Sequence, residues 1–124
     1  MRKQYHFWPG SKGLDAWDVD RLIRLSQGLP VVEVAVESIR EIDTVYWFDQ
    51  AHPATVRAVI EHARLIEEVE LSHPVIIGLD GRVMDGMHRV ARAILDGRTE
   101  IPAVRFRHDP APDYTDCDPQ DLPY

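Results

Sequence analysis

The residues of this chain best placed for chemistry lie in one stretch, Asp80 to Ala93, which reads DGRVMDGMHRVARA. Two Asp-Gly pairs are followed by a histidine, two arginines and apolar residues at helical spacing. A passage from strand through a sharp turn into a helix exposes backbone N–H groups at the helix start. Those donors, with the helix dipole, make an anion site. Gly86 carries no Cβ, so a ligand can approach its backbone closely. His88 and Arg89 fall in the first turn, where their side chains can fold over a phosphate, and Arg89 offers a fork of donors matched to phosphate oxygens. Asp85 is the awkward member, since its carboxylate repels an anion. It caps the helix, orients His88 or Arg89, or holds a metal carried by a nucleotide. The plainer reading of the same residues is an Asp85 N-cap, a Gly86 turn and a solvated Arg89. Asp80-Gly81 is a hairpin turn.

A second group is TVYWFDQAHP, residues 44–53. Tyr46, Trp47 and Phe48 are adjacent, so they cannot all face one core. Part of this loop stacks on a base or covers a pocket, or else it seals the bottom of a small core. Asp49 and His52 flank it. The six histidines show no metal-ligand spacing and no Cys/His cluster occurs, so no dedicated zinc site is expected. Cys117 sits between Asp116 and Asp118, whose charge raises a thiol pKa and makes it a poor nucleophile.

The elements that must position these groups follow from periodicity. Leu14 to Gln27 is expected as a first helix, with Asp15 as N-cap, Asp18 and Asp20 at its positive end, and Gly28 as its stop. Val31 to Val36 is β-rich and predicts a strand. ESIREID, residues 37–43, predicts a short helical turn. After His52-Pro53, a helix is expected over 54–70, with Val56, Val59, Ile60, Ala63, Ile66 and Val69 on one apolar face. PVIIGL (74–79) predicts a buried strand, and 82–84 its return. Met87 to Asp96 predicts a helix with Gly97 just past its end. Residues 100–106 predict a last strand. The order predicts an α+β fold, a small mixed β-sheet with helices packed on it. It divides into an N-terminal helical extension (1–30), a core (31–107) and an acidic, Pro-rich tail (108–124) that packs only in part.

Composition bounds the function. The 124 residues suit one structural domain with a core of its own. No apolar run spans a membrane, no secretory h-region opens the chain, and the single cysteine forms no internal disulfide. A reducing, cytoplasmic setting is the expectation. The net charge is −7, but the five acids of residues 108–124 leave 16 acids and 14 bases in the body. An acidic tail on a balanced body lacks the footprint of a nucleic-acid binder.

The stretch PVIIGLDGRVMDGMHRVARAILDGRTEIPAVRF, Pro74 to Phe106, resembles the core of the ParB/sulfiredoxin superfamily, and VVEVAVESI resembles its opening strand and turn. That resemblance, over about residues 31–106, implies ATP or CTP with Mg²⁺. The nucleotide phosphates would lie at Gly86, the Met87 backbone, His88 and Arg89, with Arg57, ahead of His62 and Arg64, reaching in from the preceding helix; the plainer reading of these three is a solvated helix face. It also implies a carboxylate base among Glu37, Glu41 and Asp43, or Asp85 in that place. Two departures narrow it. Met87 stands where sulfiredoxins carry their catalytic cysteine, so sulfinic-acid reduction is not expected. Gly86-Met87-His88-Arg89 replaces the Gly-Glu-Arg-Arg of partition proteins, and no helix-turn-helix domain follows. The chain is then similar to stand-alone ParB-like domains, which include nucleotide triphosphatases, free-serine kinases and proteins labelled nucleases. The expected function is NTP hydrolysis, or phosphoryl transfer to a small hydroxyl acceptor. The alternatives are a non-catalytic regulatory or partner-binding module, whose acidic tail contacts a basic partner or folds back on Arg105 and Arg107, and a DNA-acting nuclease, which the charge disfavours.

Overall fold

A computed structural model describes residues 3–124. The described residues form a mixed α+β fold with two small sheets and three α-helices. Strands β1 (Tyr5–Pro9) and β2 (Leu14–Asp18) form an antiparallel ribbon. Helix α1 (Val19–Ser26) leads to β3 (Val32–Ala35) and two single-turn 3₁₀ segments, Val36–Ser38 and Arg40–Asp43. Helix α2 (Val56–Glu68), strands β4 (Val75–Ile77) and β5 (Val83–Asp85), helix α3 (Met87–Leu95) and strand β6 (Glu100–Arg105) complete it. The second sheet runs β3-β6-β4-β5, with β4 parallel to β6 and the other pairs antiparallel.

The central strands are buried on both faces. Val75, Ile77, Val83, Val90, Ala93, Ile101 and Ala103 form one core against α3, while Trp17, Leu22, Ile76, Met84, Val104 and Phe106 form the other against α1 and the ribbon. The continuously apolar VII of β4 is therefore a strand with a core on either side, as such runs generally are. Gly97 closes α3 in the left-handed conformation (φ 72°), with Arg98 N–H donating to the Ala93 carbonyl.

Three expectations are corrected. Residues 14–18 are strand, not the first turns of a helix, because all five pair with β1 and bury Ala16 and Trp17. The N-terminal segment is thus a ribbon plus a short helix. Asp18, not Asp15, caps α1 by accepting from Asp20 N–H at 2.9 Å, and the helix ends at Ser26, before Gly28. Of the apolar stripe expected on α2, only Ile66 and Val69 are on the packed side. Val56 (77% exposed), Val59 and Ile60 point to solvent, and the half-buried line is Ala58, His62, Ile66 and Val69. Periodicity located this helix, but contact with α3 chose which face turned inward. Finally, the acidic tail does not fold back on Arg105 and Arg107. It lies along the ribbon and α1: Trp17 Nε1–H donates to the Pro110 carbonyl (2.7 Å), Asp113 accepts from Asp18 N–H and Arg21, and Leu122 is buried.

Candidate functional site

The start of α3 is built as the sequence suggests, up to its side chains. Gly86 is the N-cap residue at φ 108°, and no side chain caps the helix. The N–H groups of Met87 and His88 have no acceptor among the described residues. Asp85 does not cap the helix. It pairs with Arg89 (3.2 Å), whose guanidinium also donates to the Pro74 carbonyl (3.3 Å) and lies flat against Gly86. Arg89 is therefore committed to joining β5, α3 and the 69–74 loop, and its Nε is buried without a partner among the described residues. A Cβ at Gly86 would fall 2.6 Å from Arg89 Nη2. Gly86→Ala adds that clash to the strain of a left-handed non-glycine residue, so it is expected to cost about 2 kcal/mol in a urea melt. An unchanged midpoint would refute that geometry.

His88 turns away from the helix start. Its Nε2 lies 2.8 Å from Nδ1 of His62 on α2. Trp47 lies parallel to both imidazoles, 4.7 Å from each centroid, and Phe48 meets His62 edge-on at 5.4 Å. Burial, then His62 and Arg89, push His88 down to about 4, so it is neutral at pH 7 and carries no charge to a phosphate. Burial lowers His62 also, against a smaller upward pull from Glu61.

Trp47 borders a cavity of about 290 Å³ between the 41–48 segment and α3. Its walls are mostly apolar, with Trp47, Phe48, Met87, Ala91 and Ile94 prominent, and Glu41 is its one carboxylate. Glu41 Oε2 accepts the Val83 N–H at 2.5 Å, while Oε1 is buried with no partner among the described residues. A buried carboxylate oxygen without a donor is costly. Part of the Tyr46 ring is open to solvent (38% exposed), but its phenol lies deep enough that burial, with Glu41 and Asp85 adding to it, pushes it up to about 12. Tyr46 is thus a neutral hydroxyl beside two carboxylates.

The remaining candidates are not brought to this cavity. Glu37 and Asp43 are exposed and do not line it. Arg57 and Arg64 flank Ile60 in a shallow groove on the outer face of α2, without ion-pair partners among the described residues. Asp49 pairs only with His52 (3.0 Å), at the surface. Burial, then Asp15, Asp118 and Asp116, push the Cys117 thiol up, and it donates to the Leu14 carbonyl. Among the described residues no three His, Cys, Asp or Glu side chains cluster to hold a metal. His62 and Tyr46 were candidates by their segments, but the pairing of His62 with His88 and the closeness of Tyr46 to Glu41 and Asp85 were not visible from spacing. The available signal was their type, a histidine and a tyrosine on segments that the topology packs beside α3.

Fold and site together define a small α+β domain with an aromatic-walled cavity against the first turns of a glycine-capped helix. No family model, no curated protein and no solved structure matches this chain. No described helix is long and apolar enough to cross a membrane.

Proposed function

We propose that this chain is a nucleotide-binding domain of ParB/sulfiredoxin-like architecture that transfers a phosphoryl group from ATP or CTP to water or a small hydroxyl acceptor. The observation that carries the reading is the cavity itself: a parallel-faced tryptophan at its wall, the uncapped start of α3 at its border, and the Glu41 carboxylate in its lining. A flat indole suits a nucleobase. Free N–H groups and the positive end of α3 suit phosphate oxygens. Glu41, the carboxylate of the cavity wall, suits the hydroxyl that attacks, holding it and taking up its proton. Mg²⁺ would arrive with the triphosphate, where it would neutralise developing charge. Arg89 acts indirectly, by holding Asp85 and the Gly86 turn in place, and His88 acts through its stack with Trp47.

Calorimetric titration of ATP, CTP and GTP with Mg²⁺ tests the reading. Trp47→Ala is expected to weaken binding of the preferred nucleotide about tenfold, within the usual worth of one base stack. Glu41→Gln is expected to leave binding within a few-fold and to lower turnover about a hundredfold. Absence of millimolar binding for all three nucleotides would sink the proposal. Binding without turnover in the intact protein would favour the regulatory module instead.

A further inference from the structure

The distances among Trp47, His62 and His88 fix an arrangement with a specific use. The imidazole centroids are 5.1 Å apart and the facing nitrogens 2.8 Å apart. The difference is two ring radii, so the nitrogens lie on the line between the centroids. With ring planes only 16° apart, the imidazoles sit edge to edge in nearly one plane. The indole is centred over that plate. With half of 5.1 Å as one leg and 4.7 Å as hypotenuse, its centroid lies about 3.9 Å above the midpoint of the N···N contact.

Two facing lone pairs would repel at 2.8 Å, as would two facing N–H groups, so the contact contains one hydrogen. Imidazole prefers hydrogen on Nε2, the ring nitrogen farther from the chain. Both histidines keep that preferred form only if His88 Nε2–H donates to His62 Nδ1. The charged groups acting on the pair are Glu61 beside His62 and Arg89 beside His88, while Trp47 and Phe48 in contact with it are uncharged. Trp47 belongs to an irregular segment, and its own indole N–H makes no hydrogen bond among the described residues. Tyr46 meets the indole edge-on at 6.3 Å and the core packs against it, but the hydrogen-bonded plate is the flat surface parallel to which the indole rests.

We propose that His62 is a positioning residue for ligand binding: with His88 it forms a one-hydrogen plate that holds Trp47 flat, so that the indole presents a fixed stacking platform to a planar heteroaromatic ring in the cavity. This rests on the nucleobase reading of the cavity given above. Preorganising a stacking face spares the ligand the cost of ordering it, and that saving reaches only ligands with a ring to stack.

The test compares ATP and CTP with tripolyphosphate, which has no ring, by calorimetry on the full chain. His62→Leu, of similar bulk but without an acceptor, is expected to weaken ATP and CTP about tenfold and leave tripolyphosphate unchanged. His62→Asn, whose amide oxygen stands near the place of Nδ1, is expected to recover most of the loss. In the wild-type protein, a ¹⁵N–¹⁵N coupling through the hydrogen bond should appear between His88 Nε2 and His62 Nδ1, with hydrogen on His88. Undiminished nucleotide binding by His62→Leu, an equal loss for tripolyphosphate, or hydrogen on His62 Nδ1 would each overturn the proposal. ATP and CTP binding no better than tripolyphosphate in the wild type would sink the nucleobase reading itself, while the coupling still decides the pair.

Discussion

Replacing Arg82 by alanine is expected to cost about 4 kcal/mol of stability, a large share of what a domain this size has. Arg82 leads into β5 and is 8% exposed. Its guanidinium lies 4.6 Å from the ring centre of Trp8 and 5.6 Å from that of Trp17, one on each strand of the ribbon. It also pairs with Asp80 in the preceding turn (3.3 Å) and Asp109 at the start of the tail (3.4 Å). One side chain thus ties the ribbon, the β4–β5 hairpin and the tail together. Alanine removes cation–π contacts, two ion pairs and most of a buried side chain at once. Methionine separates these effects. It fills the volume but carries no charge, and Asp80 and Asp109 retain enough exposure to be rehydrated, so Arg82→Met is expected to lose only about 2 kcal/mol. Urea unfolding of both variants at pH 7 measures the difference. Equal losses would mean that charge and not packing holds the junction, and a loss below 1 kcal/mol for alanine would refute its role.

What the sequence disclosed follows the strength of its local signals. The β4–β5 hairpin, α3 and its Gly97 stop, and β6 are legible because turn glycines and a buried apolar run act over a few residues. β1 and β2 were obscure for the opposite reason. YHFWP and LDAWD are five residues each, and a short run does not distinguish a period of 2 from one of 3.6. Only their pairing, and the tail lying across Ala16, settles the matter. The site divides in the same way. Gly86 and the open N–H groups of Met87 and His88 depend on the local backbone and were legible in DGMHR. The side-chain directions were not. Arg89 turns to Asp85 and Pro74, and His88 turns to His62, because partners 15 and 26 residues away compete for them. Glu41 stood out from Glu37 and Asp43 only when a 3₁₀ turn carried it to Val83 and the cavity. Tertiary contacts, not residue types, chose which carboxylate entered the site.

Lowering the pH from 7 to 4 is expected to remove about 4 kcal/mol of stability, through two histidines that the fold keeps neutral. His6 on β1 is 7% exposed, between Trp8 and Trp17, with an unpartnered Nε2. Burial, then the Arg82 charge, lower it to about 4, against weaker upward pulls from Asp109 and Asp80. His88 is lowered to about 4 by burial, His62 and Arg89. An unfolded histidine titrates near 6.5. Between pH 6.5 and 4 the unfolded chain therefore binds protons that the folded chain refuses, so stability is full above about 6.5 and falls through that window as the pH drops. His6 accounts for roughly 3 kcal/mol of the loss. His88 is partly exposed and contributes less, about 1 kcal/mol after screening. Phenylalanine at position 6 keeps an aromatic ring between the tryptophans and removes the unpartnered nitrogen. His6→Phe should thus be at least as stable as the wild type at pH 7 and lose only about 1 kcal/mol by pH 4. Urea midpoints at half-unit steps from pH 7 to 4 measure both slopes. A wild-type curve flat between pH 6.5 and 5, or a His6→Phe slope as steep as the wild type, would show that the ribbon does not hold His6 neutral. Asp80 and Asp109 would then have to balance a second positive charge beside that of Arg82.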